Sequence, residues 1–236
     1  MNKEFEVLFD YAKKLKSRYL NTLSSFKIFE RFNKLSAPNV VGKRKAEKNV
    51  KVFNSFKYFF LTTKEAARCY FLIELAKFFD THKKSLTVYK IIDCAEKNIS
   101  KLTKEDFLNY HKGRQILPEL FAQYKQLSLS DLKKIKMRLD RNRPVIKKLI
   151  TYRNKYLAHD DIEKIKVKIS DRETKALLNI VKGVIGLLYS KLDFSVNSYT
   201  NFEKQPIKDL DMVMENLVKY EQHILDEIKK KYKNKI

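Results

Sequence analysis

Residues 131–157 read DLKKIKMRLDRNRPVIKKLITYRNKYL, and this stretch decides the fold. Its apolar residues recur mostly at the spacing of one helical face: Leu132, Ile135, Leu139, Val145, Ile146, Leu149, Ile150 and Leu157. Pro144 lacks a backbone N–H and clashes with the preceding turn, so it should kink or split the helix. With ten basic residues against two acidic ones, this is the most basic long helix that the sequence predicts.

The composition extends the helical prediction to the rest of the chain. There are only 4 Gly and 4 Pro in 236 residues, which favours long helices over many short strands. We therefore predict an all-α fold. A single domain is expected over residues 1–236, with a core at about 50–195 and flanking helices at 1–42 and 206–236.

Particular helix starts can be predicted from polar residues that offer partners to unpaired backbone N–H groups. Boxes of the type Thr/Ser-x-x-Glu/Asp predict helix starts at Thr62, Thr103, Ser128 and Ser170. The first of these should open a helix over about 64–80 that is apolar almost all round, as in the centre of a bundle. Pro206 suits a first helical position, so a last helix is expected over 207–232.

The formal net charge of +23 indicates a polyanionic partner. Such a field attracts RNA, DNA or an anionic membrane surface. The basic 131–157 helix leaves a DNA-binding regulator open as an alternative, although no helix-turn-helix with a short glycine turn is evident.

Several function classes are disfavoured by what the sequence lacks. The two cysteines, Cys69 and Cys94, fit reduced core thiols, and the histidines show no zinc-site spacing, so no metal and no cofactor are expected. The first residues contain no signal-peptide core, and no apolar run approaches the ~18 residues of a membrane span. We expect a cytoplasmic protein without membrane contact.

The polar segment Tyr152–Asp161 is the candidate active site. Arg153 offers planar donors to a phosphate, and His159 can exchange a proton near neutral pH. RNA supplies its own nucleophile, the 2′-hydroxyl, so this pair suffices in principle for cleavage without metal. On a continuous α-helix six steps of about 100° would hold the two side chains apart, so the helix must end inside the motif.

These residues resemble the HEPN superfamily. Arg153 and His159 are similar to its Arg-x4-6-His signature, and Asn154 matches the polar position that follows the arginine. The string RNKYLAHDD at 153–161 looks like the AbiU-like, abortive-infection branch, as do Phe59–Leu61 and Phe71–Lys77. The likeness covers roughly residues 50–195.

The resemblance implies a fold and an activity. It implies an up-and-down helical bundle, here with additional flanking helices, that forms a homodimer with the motifs facing each other. It also implies a metal-independent endoribonuclease of a phage-defence or toxin–antitoxin system, which leaves 2′,3′-cyclic phosphate ends. Arg153, His159 and Asn154 would then be the catalytic residues, and RNA contacts are expected from four cations of the same region: Arg141, Arg143, Lys148 and Lys155.

Regulation by a partner is a further implication. An antitoxin is one possible partner, and a nucleotidyltransferase that modifies a motif tyrosine is another. Tyr156, three residues before His159, is the candidate for such modification.

Two other interpretations of the motif remain open. Some members of the superfamily have lost activity, so the chain can instead be a non-catalytic module that binds RNA or protein. His159 can simply cap its helix while Arg153 pairs with Asp160 or Asp161. We expect the remaining histidines, His82, His111 and His223, at the surface without a catalytic role.

Overall fold

The computed structural model describes residues 3–82, 84–115, 118–157, 168–196 and 198–233. These residues form helices and no strand, which confirms the all-α prediction. The α-helices are α1 (Lys3–Leu35), α2 (Pro38–Val41), α3 (Lys43–Ser55), α4 (Lys57–Phe78), α5 (Val88–Lys97), α6 (Lys104–Tyr110), α7 (Pro118–Phe121), α8 (Leu129–Arg141), α9 (Arg143–Tyr152), α10 (Asp171–Leu192) and α11 (Thr200–Lys233). A 3₁₀-helix covers Ile99–Lys101, and a π-helix covers Arg153–Leu157.

Two compact units make up the chain. The first unit contains Met1–Thr22 and Leu72–Ser198, and the second contains Leu23–Phe71 and Tyr199–Ile236. The prediction of one domain with a core at 50–195 is not tested by this division.

The core of the first unit comes from the faces that the apolar spacing predicts. On α1 and α10 the buried residues recur at steps of three and four: Phe5, Leu8, Ala12, Leu15, Leu177, Val181, Val184 and Leu188. From the stretch 131–157, Leu132, Leu139 and Leu149 are buried as well. Pro144 splits this stretch as expected, because α8 ends at Arg141 and α9 begins at Arg143.

The second unit has a smaller, aromatic core. Five buried residues form it: Phe32, Leu35, Val52, Phe60 and Met214. The Phe60 ring contacts the rings of Phe53 and Phe32, at centroid distances of 5.0 and 6.0 Å. The ring contacts join α1, α3 and α4, and Met214 adds α11 to this core.

Three of the four predicted helix starts are confirmed. Thr103, Ser128 and Ser170 each accept a hydrogen bond from the backbone N–H three residues on. The acidic residue at that position bonds back to the capping residue, so two unpaired donors are satisfied at each start.

The predicted helix start at Thr62 is wrong. Helix α4 begins at Lys57, directly after Phe56 breaks the helical backbone with φ −118° and ψ 39°. Burial of Phe60 in the aromatic core of the second unit draws residues 57–61 into the helix, so Thr62 lies in its interior. The expected burial on all sides is also wrong for the first part of the predicted 64–80 helix, where Ala66 and Tyr70 are exposed.

The predicted role of Pro206 is wrong for a similar reason. Helix α11 starts at Thr200, and Pro206 lies inside it. The buried Tyr199 anchors the first turn, where its carbonyl accepts the Glu203 N–H. Proline leaves the carbonyl of Phe202, four residues earlier, without its helical donor, and Phe202 is exposed so that water can replace it.

One histidine differs from its predicted position. His111 is nearly buried, with 10% of its side chain exposed, and its Nε2 donates to the Leu192 carbonyl over 2.8 Å. The ring packs against Phe107 at a centroid distance of 4.6 Å. His82 and His223 are exposed as predicted.

The described helices include none with the length and apolar character needed to cross a membrane.

Candidate functional site

The backbone changes its helical form at the predicted active-site motif. Regular α-helix ends at Tyr152, and Arg153–Leu157 form a π-helix. Single π turns within α-helices occur frequently at functional sites. The spacing of about 100° per residue therefore does not apply from Arg153 to Leu157. The backbone stays helical as far as Leu157, the last described residue of this segment, so the required end of the helix before His159 stays a prediction.

Two residues hold the guanidinium group of Arg153. Its NH1 donates to Oδ2 of Asp80 over 2.8 Å, and its Nε donates to Oδ1 of Asn154 over 2.9 Å. Only 19% of the Arg153 side chain and 25% of the Asp80 side chain are exposed. Two of the five guanidinium N–H groups thus fix the orientation of the plane.

Asp80 is ionised by its surroundings. The hydrogen bond from Arg153 holds the pKa of this carboxyl below its usual value, although partial burial opposes the shift. The backbone N–H of His82 donates to the other carboxylate oxygen over 3.1 Å. The carboxylate therefore connects the start of the π-helix with the loop that follows α4.

A cleft of about 730 Å³ opens at Asp80. Its lining includes Tyr11, Tyr89 and His82, with two lysines, Lys90 and Lys97, and two aspartates, Asp80 and Asp93. Aromatic faces and cations together are typical of surfaces that bind single-stranded nucleic acid.

Sequence reasoning missed Asp80 and this cleft. Asp80 follows the predicted apolar helix over 64–80 without any recognisable motif, and His82 is predicted to have no catalytic role. Nothing local indicates that Asp80 meets a residue 73 positions later. The only available signal was the short run of polar residues at 80–85 itself.

Lys148 forms an ion pair between two helices. Its Nζ donates to both carboxylate oxygens of Glu173, over 2.7 and 2.9 Å, and so joins α9 to the start of α10. This bond, with those from the N–H and hydroxyl of Ser170, lowers the pKa of Glu173 to about 2. The RNA contact expected of Lys148 stays a prediction, and it would compete with this ion pair.

The other expected RNA contacts lie at the surface or on the π-helix. Arg141 is exposed, and Arg143 donates to Asp140 over 2.8 Å in a solvated ion pair. Lys155 is half-buried on the π-helix. The side chain of Tyr156 is outside what the structure describes, so its proposed modification is untested.

His159 lies outside the described residues, together with Asp160 and Asp161. The convergence of His159 with Arg153 therefore stays a prediction, as does the alternative pairing of Arg153 with either aspartate.

Metal-ligating side chains do not gather in the part of the chain that is described. No group of three or more His, Cys, Asp or Glu residues there has the arrangement to hold an ion. Independence from metal is thus a prediction for experiment.

Comparison with known protein families identifies the family of this chain. The model of the family HEPN_AbiU2, described as AbiU2, matches residues 8–213. The match extends on both sides beyond the 50–195 stretch that carried the resemblance. No curated protein and no solved structure matches the chain.

Proposed function

The chain belongs to the AbiU2 family of HEPN proteins, and from this premise we propose that it is a metal-independent endoribonuclease that acts in phage defence or growth arrest. The observation that supports the proposal most strongly is the fixed guanidinium of Arg153. It lies at the start of a π-helix, within the family motif and after the basic helices α8 and α9.

Arg153 would stabilise the reacting phosphate. Charge grows on the non-bridging oxygens as phosphorus becomes pentacovalent, and a fixed planar donor interacts best with that charge. Because Asp80 and Asn154 already orient the group, little reorganisation is needed when RNA binds.

His159 would move the proton. As a base it takes the proton of the RNA 2′-hydroxyl, whose oxygen then attacks the adjacent phosphorus. The bond from phosphorus to the 5′-oxygen breaks, and that oxygen receives a proton from an acid. The products are a 2′,3′-cyclic phosphate and a free 5′-hydroxyl.

A homodimer would supply both proton-transfer groups. We propose a composite site in which the His159 residues of two subunits act as base and acid on one phosphodiester. The nucleotides beside the cut bond would occupy the cleft at Asp80, with bases against Tyr11 or Tyr89 and phosphates near Lys90 and Lys97.

The alternative is a non-catalytic module that binds RNA or protein. One observation favours it: Asp80 neutralises much of the charge that Arg153 would bring to a phosphate. In that case the ion pair serves the fold alone.

Control of the activity would come from a second protein. An antitoxin that covers the motif, or a nucleotidyltransferase that modifies Tyr156, would silence the enzyme until infection. Both remain proposals that follow from the family.

Analysis of the product ends tests the proposed reaction. Wild-type protein in excess EDTA is expected to cut single-stranded RNA and leave 2′,3′-cyclic phosphate ends. RNA that stays intact, although it binds in a salt-dependent manner, would support the binding module instead.

A further inference from the structure

The second unit contains a cleft that none of the predicted site residues line. It has a volume of about 730 Å³ and lies between α3 and α11. Five cations line it, with one carboxylate, Glu215: Lys43, Arg44, Lys45, Lys48 and Lys219. This is a concentration of positive charge in one concave surface.

Helix α3, which forms one wall of the cleft, is held in place by its buried face. Ala46, Asn49 and Val52, at steps of three, form the buried face of α3. The Asn49 amide donates to the Leu35 carbonyl over 2.8 Å, and Val52 belongs to the aromatic core of this unit. The cations of α3 therefore project from a fixed helix.

The single carboxylate balances only one of these cations. Glu215 accepts a hydrogen bond from Lys45 over 2.9 Å, which also joins α3 to α11. This bond, with the nearby charge of Lys219, keeps the pKa of Glu215 below its usual value. No described carboxylate forms an ion pair with the other four cations, Lys43, Arg44, Lys48 and Lys219.

The ligand that fits this surface is a chain of phosphates. Several separated cations along an open cleft match a polyanion better than one small anion. No aromatic ring lines the cleft, in contrast to the cleft at Asp80 in the first unit. Contact through phosphates instead of bases follows, because base binding to single strands relies on stacking.

We infer that Lys43, Arg44, Lys48 and Lys219 form a phosphate-binding cleft for a single-stranded RNA. It would hold the strand independently of base sequence, through residues other than the proposed catalytic ones. The identity of the strand as RNA rests on the proposed function.

Salt-dependent binding tests this inference. The probe is a single-stranded oligonucleotide with 2′-O-methyl groups throughout, which lacks the nucleophile and cannot be cut. Wild type is compared with a cleft variant, Lys43→Gln/Arg44→Gln/Lys48→Gln/Lys219→Gln. A control variant makes the same change in charge at exposed lysines elsewhere: Lys14→Gln/Lys57→Gln/Lys112→Gln/Lys208→Gln.

The slope of log affinity against log salt concentration is the deciding quantity. Each phosphate contact on a single strand contributes about 0.7 to the magnitude of this slope. With four contacts removed, the slope of the cleft variant should therefore be smaller than that of wild type by up to about 2.8. The control variant should keep a slope close to that of wild type. Equal slopes for the two variants would overturn the inference, since overall charge alone would then explain binding.

A double variant with fewer substitutions is a second test in case the fourfold variant does not fold. Lys48→Gln/Lys219→Gln should reduce the slope by about 1.4, with an unchanged circular dichroism spectrum. An unchanged slope in this folded pair would also contradict the inference.

Unmodified RNA separates this inference from the proposed function. If wild type cuts RNA but the cleft variant has an unaltered slope, the inferred phosphate-binding cleft is overturned and the proposed ribonuclease is retained. A reduced slope without any cutting would overturn the proposed ribonuclease and retain the phosphate-binding cleft. Where cutting occurs, saturating RNA should restore the cleft variant to the wild-type rate.

Discussion

Arg153 and Asp80 form an ion pair between NH1 and Oδ2 over 2.8 Å, and it joins two segments that are 73 residues apart in the sequence. The arginine lies in the predicted active-site motif, whereas the aspartate lies in a loop that this motif does not include. The pair has a function if the fixed arginine acts on RNA, and it is merely structural if the arginine does not.

Replacing Asp80 distinguishes these two roles. Asp80→Asn removes the charge that holds the guanidinium, and displacement of a catalytic group by about 1 Å costs on the order of 10²-fold in rate. We expect single-turnover RNA cleavage to slow by about 10- to 100-fold while the helical content is kept.

A matched substitution controls for the lost carboxylate. Asp10→Asn removes an exposed carboxylate of the first unit that lies 3.5 Å from Nζ of Lys13. Its cleavage rate should equal that of wild type. If Asp80→Asn also cuts at the wild-type rate, Asp80 does not position Arg153 for catalysis.

Acid should weaken the contact between α9 and α10. Glu173 has a pKa of about 2 in the fold against its ordinary value of 4.5, and the hydrogen bond from Lys148 is the main cause. A carboxyl group whose pKa is lowered by folding stabilises the folded state at every pH above its pKa in the unfolded chain. This contribution is lost as the pH falls from about 4.5 towards 2.

Urea unfolding of Glu173→Gln measures this contribution. At about pH 6 the variant should be less stable than wild type by on the order of 1 kcal/mol, and the difference should shrink at about pH 3. Glu47→Gln, at an exposed site on α3, is the control and should show little difference at either pH. A pH-independent difference for Glu173→Gln would contradict the assigned cause.

The sequence predicted those features of the fold that depend on nearby residues. The helix starts at Thr103, Ser128 and Ser170 were predictable because each cap and its partner are three residues apart. The split at Pro144 follows from the chemistry of one residue.

Features that depend on distant contacts were not predictable. Thr62 has the same local pattern as the true caps, yet burial of Phe60 among aromatic rings from other helices moves the start of α4 to Lys57. The partner of Arg153 was hidden in the same way, because no spacing rule connects it with Asp80. Arg153 and Asn154 themselves could be identified because the motif is local.

Two glycines of α10 should respond differently to the same substitution. Replacing glycine by alanine inside a helix stabilises the helix by about 1 kcal/mol. A Cβ at Gly186 meets no atom within 4 Å, whereas one at Gly183 would lie 2.8 Å from NH1 of Arg138.

Thermal unfolding of the two alanine variants tests this difference. Gly186→Ala should raise Tm by about 2–4 °C, the shift expected for 1 kcal/mol in a chain of this size. Gly183→Ala should gain less, since the Arg138 side chain must move. An equal gain at both positions would show that Arg138 relocates without cost.

The proposed composite site requires two chains. Light scattering at micromolar concentration should give a mass about twice the 28.1 kDa of one chain. A particle of single-chain mass that still cuts RNA would contradict the shared site, although it would leave the roles of Arg153 and His159 open.

The most direct test of the central claim is RNA cleavage in excess EDTA by wild type, His159→Ala and His223→Ala. His223 is an exposed histidine of α11 and controls for the loss of an imidazole. We predict that wild type and His223→Ala cut RNA to cyclic phosphate ends, and that His159→Ala binds the RNA without cutting it. Undiminished cleavage by a folded His159→Ala protein would contradict the account.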